Sequence, residues 1–128
     1  MRLLLDTHAL LWWVLDDPRL SARARRGIEA TTNTIFVSAA SAWEVAIKAA
    51  KGKLRLPPRA EHRIRDEISA GGFRELAVTW DHGLAVRELA GPHADPFDRL
   101  LIAQSRLEGL TIVTNDRAIR RYSVDVLW

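Results

Sequence analysis

The sequence predicts an α/β fold, a three-layer α/β/α sandwich around a central parallel sheet. Three observations predict it. Short apolar runs alternate along the whole chain with longer stretches whose apolar residues recur at helical spacing. The runs "RLLL", "TIFV" and "LTIV" are apolar almost without interruption, as strands buried on both faces are. The chain has 128 residues, 48% of them apolar, enough for one domain with a real core. Residues 1–128 are therefore read as a single domain.

Each element has its own signal. "RLLLD" reads as a buried strand ending on Asp6, and "ALLWWVLDDPRL" as a helix that stops near Asp17 and Pro18. "SARARRGIEA" is a second helix with Ser21 at its cap. "TIFVS" is β-branched and apolar, a second strand. "SAWEVAIKAAKGKL" sets Trp43, Ala46, Ile47 and Ala50 at helical spacing, and Gly52 stops it. "LPPRAEHRIRDEISAGG" reads as a proline-started helix closed by a glycine pair. "RELAVT" follows as a strand and "DHGLAVRELA" as a helix capped by Asp81. In "DPFDRLLIAQSRLEG", Asp95 would cap a helix, Pro96 would take its first position, and Asp98 would sit in its positive first turn. "LTIVT" is a clear strand, "NDRAIRRY" a short helix after Asn115, and "SVDVLW" a last strand.

Composition excludes several classes. With no cysteine there is no disulfide and no thiolate metal site, which suits a reducing compartment. The longest apolar run near the start, Ala9 to Leu15, is too short to span a bilayer, and Asp6 and His8 break any signal-peptide core. The expectation is a soluble cytoplasmic protein without a membrane partner. Nineteen basic residues against 16 acidic give +3, too small a surplus to mark a nucleic-acid ligand by itself. Sixteen of the 19 are Arg, which suits bidentate phosphate contacts and equally suits a solvated helix face.

Four acids stand out by topology. In open α/β sheets ligands gather beyond the carboxyl ends of the strands. Asp6 ends the first strand there, Glu44 lies just past the second, Asp98 opens a later helix, and Asp116 follows "TIVT". Each has a structural reading: a strand-end turn for Asp6, a capping box with Ser41 for Glu44, and dipole compensation for Asp98 and for Asp116 after an Asn115 cap. Capping does not require convergence on one rim, however, and converging carboxylates repel unless protonated or neutralised. A hard divalent cation, Mg²⁺ or Mn²⁺, relieves that repulsion, and such a centre would activate water for attack on a phosphodiester.

"LLLDTHALLW", "SAWEVAIKAAKGKL", "DPFDRLLIAQ" and "LTIVTND" together resemble the PIN domain, and within it the VapC-type toxins of bacterial toxin–antitoxin pairs. The resemblance covers essentially the whole chain. It implies a PIN-like, Mg²⁺-dependent endoribonuclease with an RNA substrate, a VapB-type antitoxin partner and a homodimeric state. Carried onto this sequence, the acidic site falls on Asp6, Glu44, Asp98 and Asp116. Asp6 and Asp98 are the implied metal ligands, while Glu44 and Asp116 bind directly, bind through water or orient the nucleophile. Thr7 and Thr114 stand where the family has a hydroxyl near the site. Asp95 is an extra acid, since many PIN domains carry one acid at this helix start.

The remaining polar and aromatic residues are read more plainly. His8 and His93 flank the acids as packed residues or substrate contacts, with a transition-metal ligand as the lesser alternative, His82 as surface or helix-start structure, and His62 as solvent-facing. Trp12, Trp13 and Trp43 suit a core or a subunit interface. Arg23, Arg25 and Arg26, with Arg117, Arg120 and Arg121, line either an RNA path or solvated faces. An aspartyl-phosphate receiver or phosphatase would want a second acid beside the first and a late Lys, whereas "DTH" lacks that acid and no Lys follows Lys53. The remaining alternative is a catalytically inactive PIN-like module that binds RNA or a protein.

Overall fold

The computed structural model describes residues 1–91 and 95–128, so His93 lies outside the described residues. Among them, β1 (Arg2–Leu5), β2 (Thr34–Ser38), β3 (Arg74–Leu76), β4 (Thr111–Val113) and β5 (Val126–Leu127) form one parallel sheet in the order β3-β2-β1-β4-β5. The helices are α1 (Thr7–Val14), α2 (Ala22–Glu29), α3 (Ala39–Ala50), α4 (Ala60–Ser69), α5 (Trp80–Ala85), α6 (Pro96–Glu108) and α7 (Arg117–Arg120). A 3₁₀ turn, Val86–Glu88, follows α5.

Alternation along the strands builds the three layers. Leu3 and Leu5 of β1 point to one face, where Leu10, Val14, Ala24 and Ile28 of α1 and α2 cover them and Ile64 and Ile68 of α4 pack alongside. Leu4 points the other way, onto Leu101 of α6 and Leu110. Next to it Ile112 of β4 packs with Ile102 and Ala103 of α6, Ile119 of α7, Leu89 and Tyr122. The predicted sandwich is therefore the observed one, and both sheet faces are apolar because both are roofed.

The ends of several elements differ from expectation, each for a local reason. Helix α3 begins at Ala39, directly off β2, with Ser38 as its cap through a 3.0 Å bond from the Ala40 N–H. Ser41 and Glu44 therefore lie inside the helix and make no capping box. Thr79, not Asp81, caps α5, because its hydroxyl accepts from the His82 N–H while His82 Nδ1 accepts from the Thr79 N–H. Asp116 itself caps α7, not Asn115. Helix α1 stops at Val14, and Asp16 turns the chain with a φ of +52°. Pro57 and Pro58 precede α4, which starts only at Ala60. The strands in "RELAVT" and "SVDVLW" are shorter than the stretches read, β3 ending at Leu76 and β5 covering only Val126 and Leu127. Asp95 and Pro96 behave as read, with Asp95 Oδ1 accepting from the Phe97 and Asp98 N–H groups at 2.9 and 3.1 Å.

A buried polar chain fixes α6 against the sheet. Ser38 Oγ donates to Gln104 Oε1 at 2.6 Å, and Gln104 Nε2 donates to the Ala77 carbonyl at 3.3 Å. His82 is buried, not at the surface; with Nδ1 occupied as an acceptor, its Nε2 carries the proton and donates to Glu108 Oε1 at 2.8 Å. These bonds set the rotation of α6, and so the direction in which its first turn faces. No described helix is long and apolar enough to cross a membrane.

Candidate active site at the sheet edge

The chain steps outward from β1 to β2 and β3, then returns past β1 to β4 and β5. The helices after β1 and β4 consequently cover opposite faces, α1 over Leu3 and Leu5 and α7 over Ile112. This is a topological switch point, and it opens a crevice beyond the carboxyl ends of β1 and β4.

Asp6 follows β1 into that crevice. Its N–H donates to the Val113 carbonyl at 3.1 Å, and its Oδ1 accepts from the Ala9 N–H at 2.7 Å, so it also caps α1. Thr114, fully buried after β4, hydrogen-bonds the Asp6 carboxylate and accepts from the Asp116 N–H at 2.9 Å. Asp116, half-buried, accepts from the Ala118 N–H at 2.7 Å. Burial pushes the Asp6 carboxyl above its usual range; the Thr114 and Ala9 hydrogen bonds and the nearby His8 pull it down, and the Asp116 charge pushes it up.

A second group lies next to it. Glu44, buried on α3, accepts the Thr7 hydroxyl at 2.6 Å on Oε1, and the Thr7 oxygen lies 3.0 Å from Ser41 Oγ. Its Oε2 is ion-paired with Lys48, one turn along the helix. Lys48 is held above its usual pKa, first by that hydrogen bond and then by the charges of Glu44, Asp95 and Asp98. Thr7 joins the groups, since it follows Asp6 in the chain and holds Glu44. The structure thus brings Asp6, Thr114 and Asp116 together around the switch point, and Glu44 and Lys48 together within electrostatic reach of Asp95 and Asp98.

The donor set is all oxygen, which suits a hard cation. Among the described residues no three His, Asp or Glu side chains form a cage for one ion. Mg²⁺ asks for less, keeping several waters and taking one or two carboxylates. A buried carboxylate beside a second one, Asp6 beside Asp116, fits that demand. Lys48 is a site residue that the sequence reading missed, and Ser41, read there only as a cap partner of Glu44, instead meets the Thr7 hydroxyl. Their signal was present in the spacing, with Ser41 three residues before Glu44 and Lys48 four after it, all on one helix face.

Burial of Asp6 carries a stability consequence. A carboxyl whose folded pKa is raised stabilises the fold fully below its unfolded pKa and loses that contribution as pH rises through the folded value. Metal-free Asp6→Asn should therefore be more stable than the wild type at pH 8, and the gap should close toward pH 4. Asn still caps α1, so the cap is retained. Urea unfolding in EDTA across this range measures it; a gap that is absent or widens as pH falls refutes the assignment.

Comparisons with known proteins bear on the fold and the family. A family model described as the PIN domain matches residues 3–125. The chain is 30% identical over 122 residues to Ribonuclease VapC22 of Mycobacterium tuberculosis, covering 93% of this chain and 90% of that one. Its fold is similar to that in the crystal structure of VapBC2 from Rickettsia felis bound to a promoter DNA fragment, with a TM-score of 0.74 at 17% identity over 98% of this chain and 97% of the other. It is also similar to DNA-bound VapBC from Salmonella typhimurium, with a TM-score of 0.67 at 18% identity over 98% and 96%. The sheet order, the acids at its switch point and a family match over nearly every residue lead to one conclusion: the chain belongs to the PIN domain family.

Proposed function

We propose that this protein is a metal-dependent endoribonuclease, the toxin of a toxin–antitoxin pair, which hydrolyses RNA phosphodiester bonds in the cytoplasm. The observation that carries the reading is the meeting of Asp6, Thr114 and Asp116 at the switch point, where a buried carboxylate stands beside another. The similarity to a protein named as a ribonuclease, and to VapBC structures, supports the same reading and adds a VapB-type antitoxin as partner. A homodimer, as the resemblance implies, completes the proposed assembly.

Asp6 and Asp98 would hold Mg²⁺, with Mn²⁺ as the substitute, and Glu44 and Asp116 would bind it directly or through water or orient the attacking water. A bound divalent ion neutralises the phosphate and lowers the pKa of water at the reacting centre. The protein's own residues do the positioning. Thr114 fixes the orientation of Asp6 while holding the backbone of Asp116, so it ties the ends of β1 and β4 together. Thr7 does the same for Glu44. Asp95 orders the first turn of α6 and so sets where Asp98 stands. The competing reading, a PIN-like module that binds RNA or protein without cutting, draws on the Lys48 pair that already engages Glu44.

Two measurements decide between them. Purified protein should cleave RNA with Mg²⁺ and stop when EDTA is added; cleavage that persists in EDTA sinks the metal-dependent mechanism. Expression in a bacterial host should slow growth, a co-expressed antitoxin should relieve it, and Asp98→Asn should abolish it. Equal growth inhibition by wild type and Asp98→Asn would show that toxicity is not nucleolytic.

A further inference from the structure

Trp43 is 62% exposed, an unusual state for a large aromatic on a helix that packs against two others. It is not a loose side chain. Its ring meets Phe97 nearly edge to face, with centroids 5.3 Å apart and planes at 81°. Such a contact fixes an aromatic ring while leaving part of its surface open. The position is also informative. Trp43 immediately precedes Glu44 on α3, and Phe97 immediately precedes Asp98 on α6. The pair therefore forms the lip of the acid rim, where α3 meets the first turn of α6.

Lys48 supplies the other half. Its ammonium has three N–H donors, and Glu44 Oε2 takes one of them. Lys48 is partly exposed and faces the charges of Asp95 and Asp98. It brings positive charge to a rim whose other described ionisable groups are mostly carboxylates. Trp43 and Lys48 stand five residues apart on α3 and both reach the first turn of α6, Trp43 through Phe97 and Lys48 through the charges of Asp95 and Asp98. An exposed aromatic ring and a cation so spaced can receive a single-stranded nucleotide, with the base on the ring and the phosphate on the cation.

We propose that the Trp43–Phe97 pair is a base-stacking subsite for an unpaired RNA nucleotide next to the scissile bond, with Lys48 contacting its backbone phosphate. This rests on the reading of the acid rim as an RNA-cleaving site. A protein partner covering the same apolar surface is the competing occupant, but the Lys48 ammonium on the same helix favours a phosphate-bearing ligand. The other exposed tryptophan among the described residues, Trp80, sits with Leu84 on α5, and neither of its neighbours Asp81 and Thr79 belongs to the rim.

The test uses the full chain, a fluorescein-labelled single-stranded RNA oligonucleotide and a blunt duplex of the same sequence. Trp43→Ala should raise KM and the Kd for the single strand roughly ten- to hundredfold, with a much smaller change in kcat and in duplex binding. Trp43→Phe, which keeps a stacking face, should recover most of the loss. Lys48→Met should flatten the salt dependence of binding, whereas Lys48→Arg should retain it. Single-strand affinity and KM unchanged in Trp43→Ala overturn the proposal. So does a loss that tracks dissociation of a dimer by light scattering and disappears at high protein concentration, since that marks a protein interface. If the wild type binds the single strand through Trp43 yet never cuts it, the subsite stands and the nuclease reading fails. If it binds no RNA, both fail.

Discussion

Asp6→Asn should lower RNA cleavage by about a hundredfold or more without unfolding the protein. Partners that merely orient a metal ligand contribute about 10–100-fold, so if Asp6 is the ligand proposed above, loss of its charge sets a larger effect. Asn retains the acceptor that caps α1 through the Ala9 N–H, so the helix start survives. Thr114→Val is the graded companion. It removes the hydroxyl that orients Asp6 and should cost about 10–100-fold, provided circular dichroism and the urea midpoint show an intact fold. Mg²⁺ offers a second readout. The ion should raise the melting temperature of the wild type, by the equivalent of ~2.7 kcal/mol at a hundred times its Kd, and do little for Asp6→Asn. Full activity in Asp6→Asn would remove the centre from the switch point altogether.

Ile112→Ala should destabilise the fold by about 3–4 kcal/mol, within the range for a fully buried Ile truncated in a packed core. Ile112 is held between Ile102 and Ala103 of α6, Ile119 of α7, Leu89 and Tyr122, none of which can move inward without losing its own contacts. For a domain of this size the melting temperature should fall by about 10–15 °C. The same strand carries Val113, whose carbonyl takes the Asp6 N–H, and Thr114, which holds its carboxylate. Cleavage measured well below the melting temperature should therefore drop as well. A loss under about 1 kcal/mol would mean that this layer is not packed as described.

Particular residues show where the sequence was legible. "RLLL", "TIFV" and "LTIV" announce buried parallel strands because only a sheet roofed on both sides tolerates so little polarity, and all three lie as read. Asp95 and Pro96 were equally plain, since cap and first-turn chemistry is local. The misreadings came where two neighbours competed for one role. Thr79 and Asp81 both suit a cap, and the choice went to the residue whose partner three positions on, His82, can bond back. Ser38 and Ser41 competed in the same way, and the end of β2 decided for Ser38. Burial of His82 was hidden because its partners, Thr79 apart, are Gln104 and Glu108, more than twenty residues away. The ionic state of the rim was also beyond local reading: Glu44 and Lys48 show their spacing in sequence, but the Thr7 bond to Glu44 spans 37 positions.

The place of β1 in the sheet bears on synthesis. Asp6 is made before β4, Thr114 and Asp116, which follow more than a hundred residues later. Until β4 pairs with β1, the crevice has one wall and Asp6 lacks both the hydroxyl and the second carboxylate beside it. Closing a contact that distant in the chain is the slow, late step of building such a sheet. Asp6 and Asp116 therefore come together only after β4 has been made and has paired with β1, so their joint setting is a product of the finished sheet and not of either strand alone.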